Sequence, residues 1–170
     1  CIPEPQYLCP STMQDNLVAY HRIFFIGIAG TGMSAVAQYL QGIGKEVAGS
    51  DRYFIPGSDQ TIRHQLEQEG IRCYAQDGSG FILNPDLVVV STAIEDTVPE
   101  VRLARERKIP IIKRSTLLSW IAKIQRTIAV AGTSGKSTTA AMLFHILDRC
   151  GLEPGIITGA GLIPLIRQGK

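Results

Sequence analysis

Gly132-Thr133-Ser134-Gly135-Lys136-Ser137-Thr138 brings together the residue types that hold a triphosphate. Glycines let successive backbone N–H groups turn toward phosphate oxygens, and the positive end of a following helix adds to their pull. At this spacing Lys136 is expected to reach the β- and γ-phosphates of ATP as the catalytic cation, and the Ser137 hydroxyl to contact Mg²⁺. The expected ATP contacts are Gly132, Thr133, Ser134, Gly135, Lys136, Ser137 and Thr138, with Ser137 as the metal contact. The general phosphate-loop pattern also wants a glycine five residues before Gly135; Val130 stands there, so the loop is a shortened variant.

A second glycine cluster lies near the other end of the chain. Gly27-Ile28-Ala29-Gly30-Thr31-Gly32 follows an apolar run and precedes a helical pattern that opens with Met33. The spacing is that of a dinucleotide fingerprint with Ala29 at the middle glycine. Asp51, nineteen residues after Gly32, stands where an acid binds a ribose hydroxyl. Ser91, Thr92 and Ala93 end another apolar run, and ligands of parallel sheets sit beyond the carboxyl ends of strands. Gly27, Ala29, Gly30, Thr31, Gly32, Met33, Asp51, Ser91, Thr92 and Ala93 are thus candidate contacts for a nucleotide or nucleotide-sugar. Tyr53 and Phe54, on the loop after Asp51, could cover a bound base. The competing readings are that the glycines serve tight strand–helix packing and that Thr92 is an ordinary turn cap.

The elements that must position these residues alternate. Ile23–Ile28, Glu46–Ser50, Ile71–Tyr74, Asp86–Ser91 and Pro110–Ile112 read as buried strands, with a further one at Thr127–Ala131. Helical spacing runs over Met33–Ile43, from a Ser58 or Asp59 cap to Glu69, over Pro99–Arg107, over Ser115–Ile124 and over Thr139–Arg149. Gly44 and Gly70 are expected to close the first two helices. This predicts an α/β protein: a Rossmann-like parallel sheet wrapped by helices, followed by the start of a phosphate-loop α/β domain. Residues 1–20, with Pro3, Pro5 and Pro10, read as an extension, residues 21–124 as the first domain and 125–170 as an incomplete ATP-binding domain.

Composition agrees with a globular chain. Of 170 residues 45% are apolar, and the net charge of +2 gives no field that would select nucleic acid. No apolar run approaches a membrane span and no export signal opens the chain, so a cytoplasmic location is expected. Cys1, Cys9, Cys73 and Cys150 form no Cys-x-x-Cys pair and read as scattered buried thiols of a reducing compartment. Nothing in the sequence fixes an oligomeric state.

Together these residues resemble the Mur ligases, which build the peptide stem of the bacterial cell wall, and among them the alanine-adding type. Four segments carry the resemblance: Phe25–Ser34, Val47–Asp51, Val89–Ile94 with Pro99-Glu100 and Ile109-Pro110, and Ala129–Thr138. The resemblance implies that the first domain binds a UDP-N-acetylmuramate-type substrate and the second binds Mg-ATP. ATP would then phosphorylate the sugar's carboxylate, and an amino acid, L-alanine in this type, would displace the phosphate. Ser134 stands where the family usually has His or Asn, Ser137 where it has Thr, and Gln76–Gly80 lacks the usual Gly-His segment. The family pattern puts an acidic Mg²⁺ site and a third domain beyond Lys170, so this segment is expected to bind ligands without completing the reaction. Two other readings stand beside it. One is an NAD-dependent oxidoreductase, resting on Gly27–Gly32 and Asp51, which leaves the Lys136 loop without a role. The other is a non-catalytic nucleotide-binding module derived from the ligase fold.

Overall fold

The computed structural model describes residues 17–91 and 96–158, in two compact units divided between Gln125 and Arg126. The first unit alternates strand and helix: β1 (Arg22–Ile26), α1 (Thr31–Gly42), β2 (Glu46–Asp51), α2 (Thr61–Gln68), β3 (Arg72–Ala75), β4 (Leu87–Val90), α3 (Pro99–Glu106), β5 (Ile111–Lys113) and α4 (Arg114–Ile124). The strands form one parallel sheet in the order β3-β2-β1-β4-β5. The chain moves outward from β1 through β2 to β3, then returns to the other side of β1 for β4. The crevice between β1 and β4 is therefore the switch point, where parallel sheets place ligands.

The apolar runs form strands because both sheet faces are covered. Phe24 and Ile26 face one side with Val88, Val90, Ala48 and Ile111, packed under Val101 and Ala104 of α3 and under Phe81. Phe81 meets Phe24 edge-on with ring centroids 5.3 Å apart. It belongs to a short 3-10 turn, Ser79–Leu83, that the sequence pattern does not announce. Ile23, Phe25, Val47 and Val89 alternate to the opposite face and are equally buried. Each fully buried Phe or Ile contributes about 1.5–3 kcal/mol relative to exposure. Just before β1, Tyr20 stacks on Trp120 of α4 at 5.8 Å, and Lys45 donates to the carbonyls of Leu17 and Tyr20. The stretch read as an extension thus has an anchored end at Leu17–Tyr20.

Helix ends follow the sequence with small shifts. Gly44 and Gly70 take φ of +85° and +86° and close α1 and α2 as expected, and Pro99 opens α3. Neither Ser58 nor Asp59 is the cap of α2. Gln60 occupies that position, while Asp59 accepts from the N–H and hydroxyl of Thr61, a local turn that displaces it from the helix start. Cys73 is buried as expected, and burial pushes its thiol up to about 12, but Cys150 is exposed. Among the described residues no helix is long and apolar enough to cross a membrane.

In the second unit, α5 spans Lys136–Arg149, starting three residues before the expected Thr139 because Gly135 caps it in the left-handed conformation. Residues 127–131 are not a strand: a strand is held by a ladder to a neighbour, and no other strand occurs among the described residues of this unit.

Two glycines in the first unit give opposite expectations. A Cβ on Gly49 of β2 would stand 2.7 Å from the Phe25 carbonyl oxygen and 2.7 Å from Ile28 Cδ1, and backbone cannot yield. Gly49→Ala should cost about 1–3 kcal/mol in urea unfolding. Gly42→Ala, in a helix with open space around it, should gain about 0.4–1 kcal/mol. A neutral Gly49→Ala would contradict the close approach.

At the amino end of the sheet Asp86 accepts from the Arg22 guanidinium at 2.6 Å and from the N–H groups of Arg22 and His21. Burial acts to raise its carboxyl, but these bonds outweigh it and hold the group below the usual carboxylate range. A carboxyl depressed on folding stabilises above its unfolded pKa and loses that contribution as pH falls through the folded one. The Arg22–Asp86 contribution should therefore be complete above about pH 5 and fade below about pH 4. Asp86→Asn should lower stability at pH 7 and flatten the acid limb of the unfolding free energy; parallel limbs would contradict this.

Candidate functional site

The site in the first unit is built by the end of β2 gripping the loop after β1. Gly27, at φ +81°, and Ile28 both donate to the Ser50 carbonyl, at 2.8 and 3.1 Å. The next N–H, that of Ala29, donates to Asp51 Oδ2 at 2.9 Å. Three consecutive amides of the loop are thus held by two consecutive residues of β2. The parallel register makes this local: Ile26 lies beside Ser50, so the loop leaves β1 where β2 ends. Gly49 completes the fit, since only a missing side chain lets Ile28 lie flat against β2.

Gly30 then caps α1 without a side-chain bond and accepts from Met33 and Ser34. Thr31 and Gly32 form the first helical residues, whose N–H groups have no acceptor within the helix. They are the loop amides left available to a ligand, at the end of α1 that carries about half a positive charge. Met33 is buried and its N–H is taken by Gly30, so it shapes the turn from inside. Asp51 is only 5% exposed, and its other oxygen accepts from Tyr53 N–H at 3.1 Å. Its first task is to hold the loop, and a ribose hydroxyl would be a third partner. Ser91 is half-buried at the end of β4, beside the crevice; Thr92 and Ala93 lie outside the described residues.

Of the two aromatics after Asp51, Phe54 is buried beneath the Arg63 guanidinium and cannot cover a base. Tyr53 is 54% exposed and carries Arg52 over its ring at 4.8 Å. The sequence reading passes over Arg114, the first residue of α4, which lies against Gly32. The signal was available: a basic residue directly after a parallel strand, at the edge where ligands bind.

In the second unit Gly132 and Gly135 take φ of +151° and +74°, conformations that side chains resist. Lys136 folds back so that Nζ lies 2.6 Å from the Gly132 carbonyl and 3.4 Å from that of Thr133. Thr139 N–H is bonded to Gly135 O at 2.9 Å, which leaves the N–H groups of Lys136, Ser137 and Thr138 without an intrahelical acceptor. The Ser137 hydroxyl is exposed and accepts from Thr158 at 3.5 Å. The loop, its lysine and the open helix end are the parts of a candidate phosphate cradle.

Residues 22–126 match the family model described as Mur ligase family, catalytic domain. A UDP-N-acetylmuramate–L-alanine ligase of Xanthomonas oryzae pv. oryzae is 39% identical over 149 residues, covering 88% of this chain and 30% of that protein. The solved UDP-N-acetylmuramate–alanine ligase of Thermotoga maritima superposes with a TM-score of 0.67 at 34% identity, over 76% of this chain and 30% of its own. A murein peptide ligase of Psychrobacter arcticus gives 0.65 at 31% identity, over 76% and 26%. The chain spans about 30% of the length of the curated relatives it matches. With its parallel sheet, its gripped glycine loop and the matching family model, the chain belongs to the Mur ligase family.

Proposed function

We propose that this chain is the amino-terminal part of an ATP-dependent carboxylate–amine ligase that joins L-alanine to UDP-N-acetylmuramate. The observation that carries this reading is a pair of phosphate-type loops on successive units. One follows β1 of the parallel sheet and leaves the amides of Thr31 and Gly32 open; the other holds a lysine against its own carbonyls. The relatives' shared name supports the choice of sugar and amino acid.

In this reading the nucleotide of the sugar substrate lies across the β1–β4 crevice, its phosphates on Gly30, Thr31 and Gly32, with Ser91 at the rim and Thr92 and Ala93 as further proposed contacts. Gly27, Ala29, Met33 and Asp51 set the loop's shape, and Asp51 stands nearest the ribose. ATP is the second substrate, on Gly132–Thr138. A carboxylate oxygen of the sugar attacks the γ-phosphorus and ADP leaves; the amine of alanine then attacks the acyl carbon and phosphate leaves. The protein's share is placement and charge neutralisation, and Lys136 supplies the fixed positive charge. The exposed Ser137 hydroxyl would supply one ligand to Mg²⁺, and the ion would add to the charge neutralisation of the triphosphate. The free thiols of Cys73 and Cys150 suit a cytoplasmic enzyme.

The test is ATP-dependent condensation of L-alanine with UDP-N-acetylmuramate by the longer protein to which this chain belongs, followed as phosphate release. Lys136→Ala should lower the rate by about 100-fold or more while leaving UDP-N-acetylmuramate binding intact. Undiminished turnover in the variant would remove Lys136 from the mechanism. Absence of alanine-dependent turnover in the parent would overturn the substrate assignment.

A further inference from the structure

Arg114 follows directly on β5 and opens α4. From there its guanidinium reaches the first turn of α1: a Cβ built on Gly32 would overlap Nη1 and stand 2.9 Å from Cζ. β4 separates β5 from β1 in the sheet, so this contact joins the element after β5 to the helix after β1, across the strand between them. Arg114 is exposed, and the ion pairs among the described residues engage Arg22, Arg63, Arg72 and Arg105 but not Arg114.

This placement sets like charge against like. The amino end of α1 is positive, and Arg114 also sits in the first turn of its own helix, where a cation is disfavoured. Packing against Gly32 needs no charge; a neutral side chain would fill the space without repulsion. A guanidinium there gains if an anion with several oxygens lies between it and the helix end, because its planar fork binds two oxygens at once.

We infer that Arg114 is a binding and specificity residue for the diphosphate of the nucleotide substrate, clamping it onto the amides of Thr31 and Gly32. This rests on the UDP-sugar reading given above. It also explains Gly32: any side chain there would push the clamp out of the crevice.

Calorimetric titration of the 170-residue chain with UDP, uridine and inorganic pyrophosphate tests this. Arg114→Gln should weaken UDP and pyrophosphate about 10- to 100-fold and leave uridine unchanged, with Arg114→Lys intermediate. Gly32→Ala should also weaken UDP, by displacing the guanidinium, and its thermal melt shows whether the fold is kept. If Arg114→Gln fails to fold, the Lys and Gly32 variants carry the comparison. UDP binding by Arg114→Gln equal to the parent's overturns the clamp and leaves the nucleotide site standing. Arg114-dependent binding of pyrophosphate without binding of UDP keeps the clamp and overturns the nucleotide reading. A parent that binds neither overturns both.

Discussion

The grip of Ser50 and Asp51 on Gly27, Ile28 and Ala29 is the constraint on which the rest of the first unit's chemistry depends. A loop between a strand and a helix has many conformations, and most would aim its amides at water. Here the neighbouring strand takes one amide after another until the chain reaches Gly30, and only then does the helix begin. The first unpaired amides therefore fall at Thr31 and Gly32, at the positive end of α1 and beside the crevice. The sheet fixes this in space because β1 and β2 are parallel and in register up to Ile26 and Ser50. Gly49 is part of the same device, since its missing side chain sets the distance between β2 and Ile28.

The two units meet the same problem differently. The first holds its glycine loop through a neighbouring strand, and the cation beside its helix start, Arg114, comes from a distant element. The second has its cation within the loop itself, with Lys136 bonded to the carbonyls of Gly132 and Thr133. Both arrangements place positive charge where helix ends already favour anions.

The elements of the sheet were legible in the sequence because fully buried parallel strands leave continuous apolar runs, as in Ile23–Ile26 and Leu87–Val90. The glycine loops were legible because their spacing encodes backbone conformation. What escaped the sequence depends on neighbours. Asp51 has the right spacing for a ribose contact, but nothing in the spacing says that Ala29 and Tyr53 occupy its oxygens first. Phe54 and Tyr53 are adjacent aromatics of similar character, and only the packing of Arg63 separates a buried ring from an exposed one. Thr127–Ala131 has strand composition, yet composition alone makes no ladder. Arg114 lies far from Gly32 in sequence, and the fold alone brings them together.

The most direct measurement is the amide NMR spectrum of the 170-residue chain during addition of UDP. If β2 fixes the loop as described, the largest shifts fall on the amides of Thr31 and Gly32. Those of Gly27, Ile28 and Ala29 then hold nearly still, already bonded to Ser50 and Asp51. Large shifts at Gly27–Ala29 with none at Thr31 and Gly32, or a response confined to residues after Gln125, would contradict it.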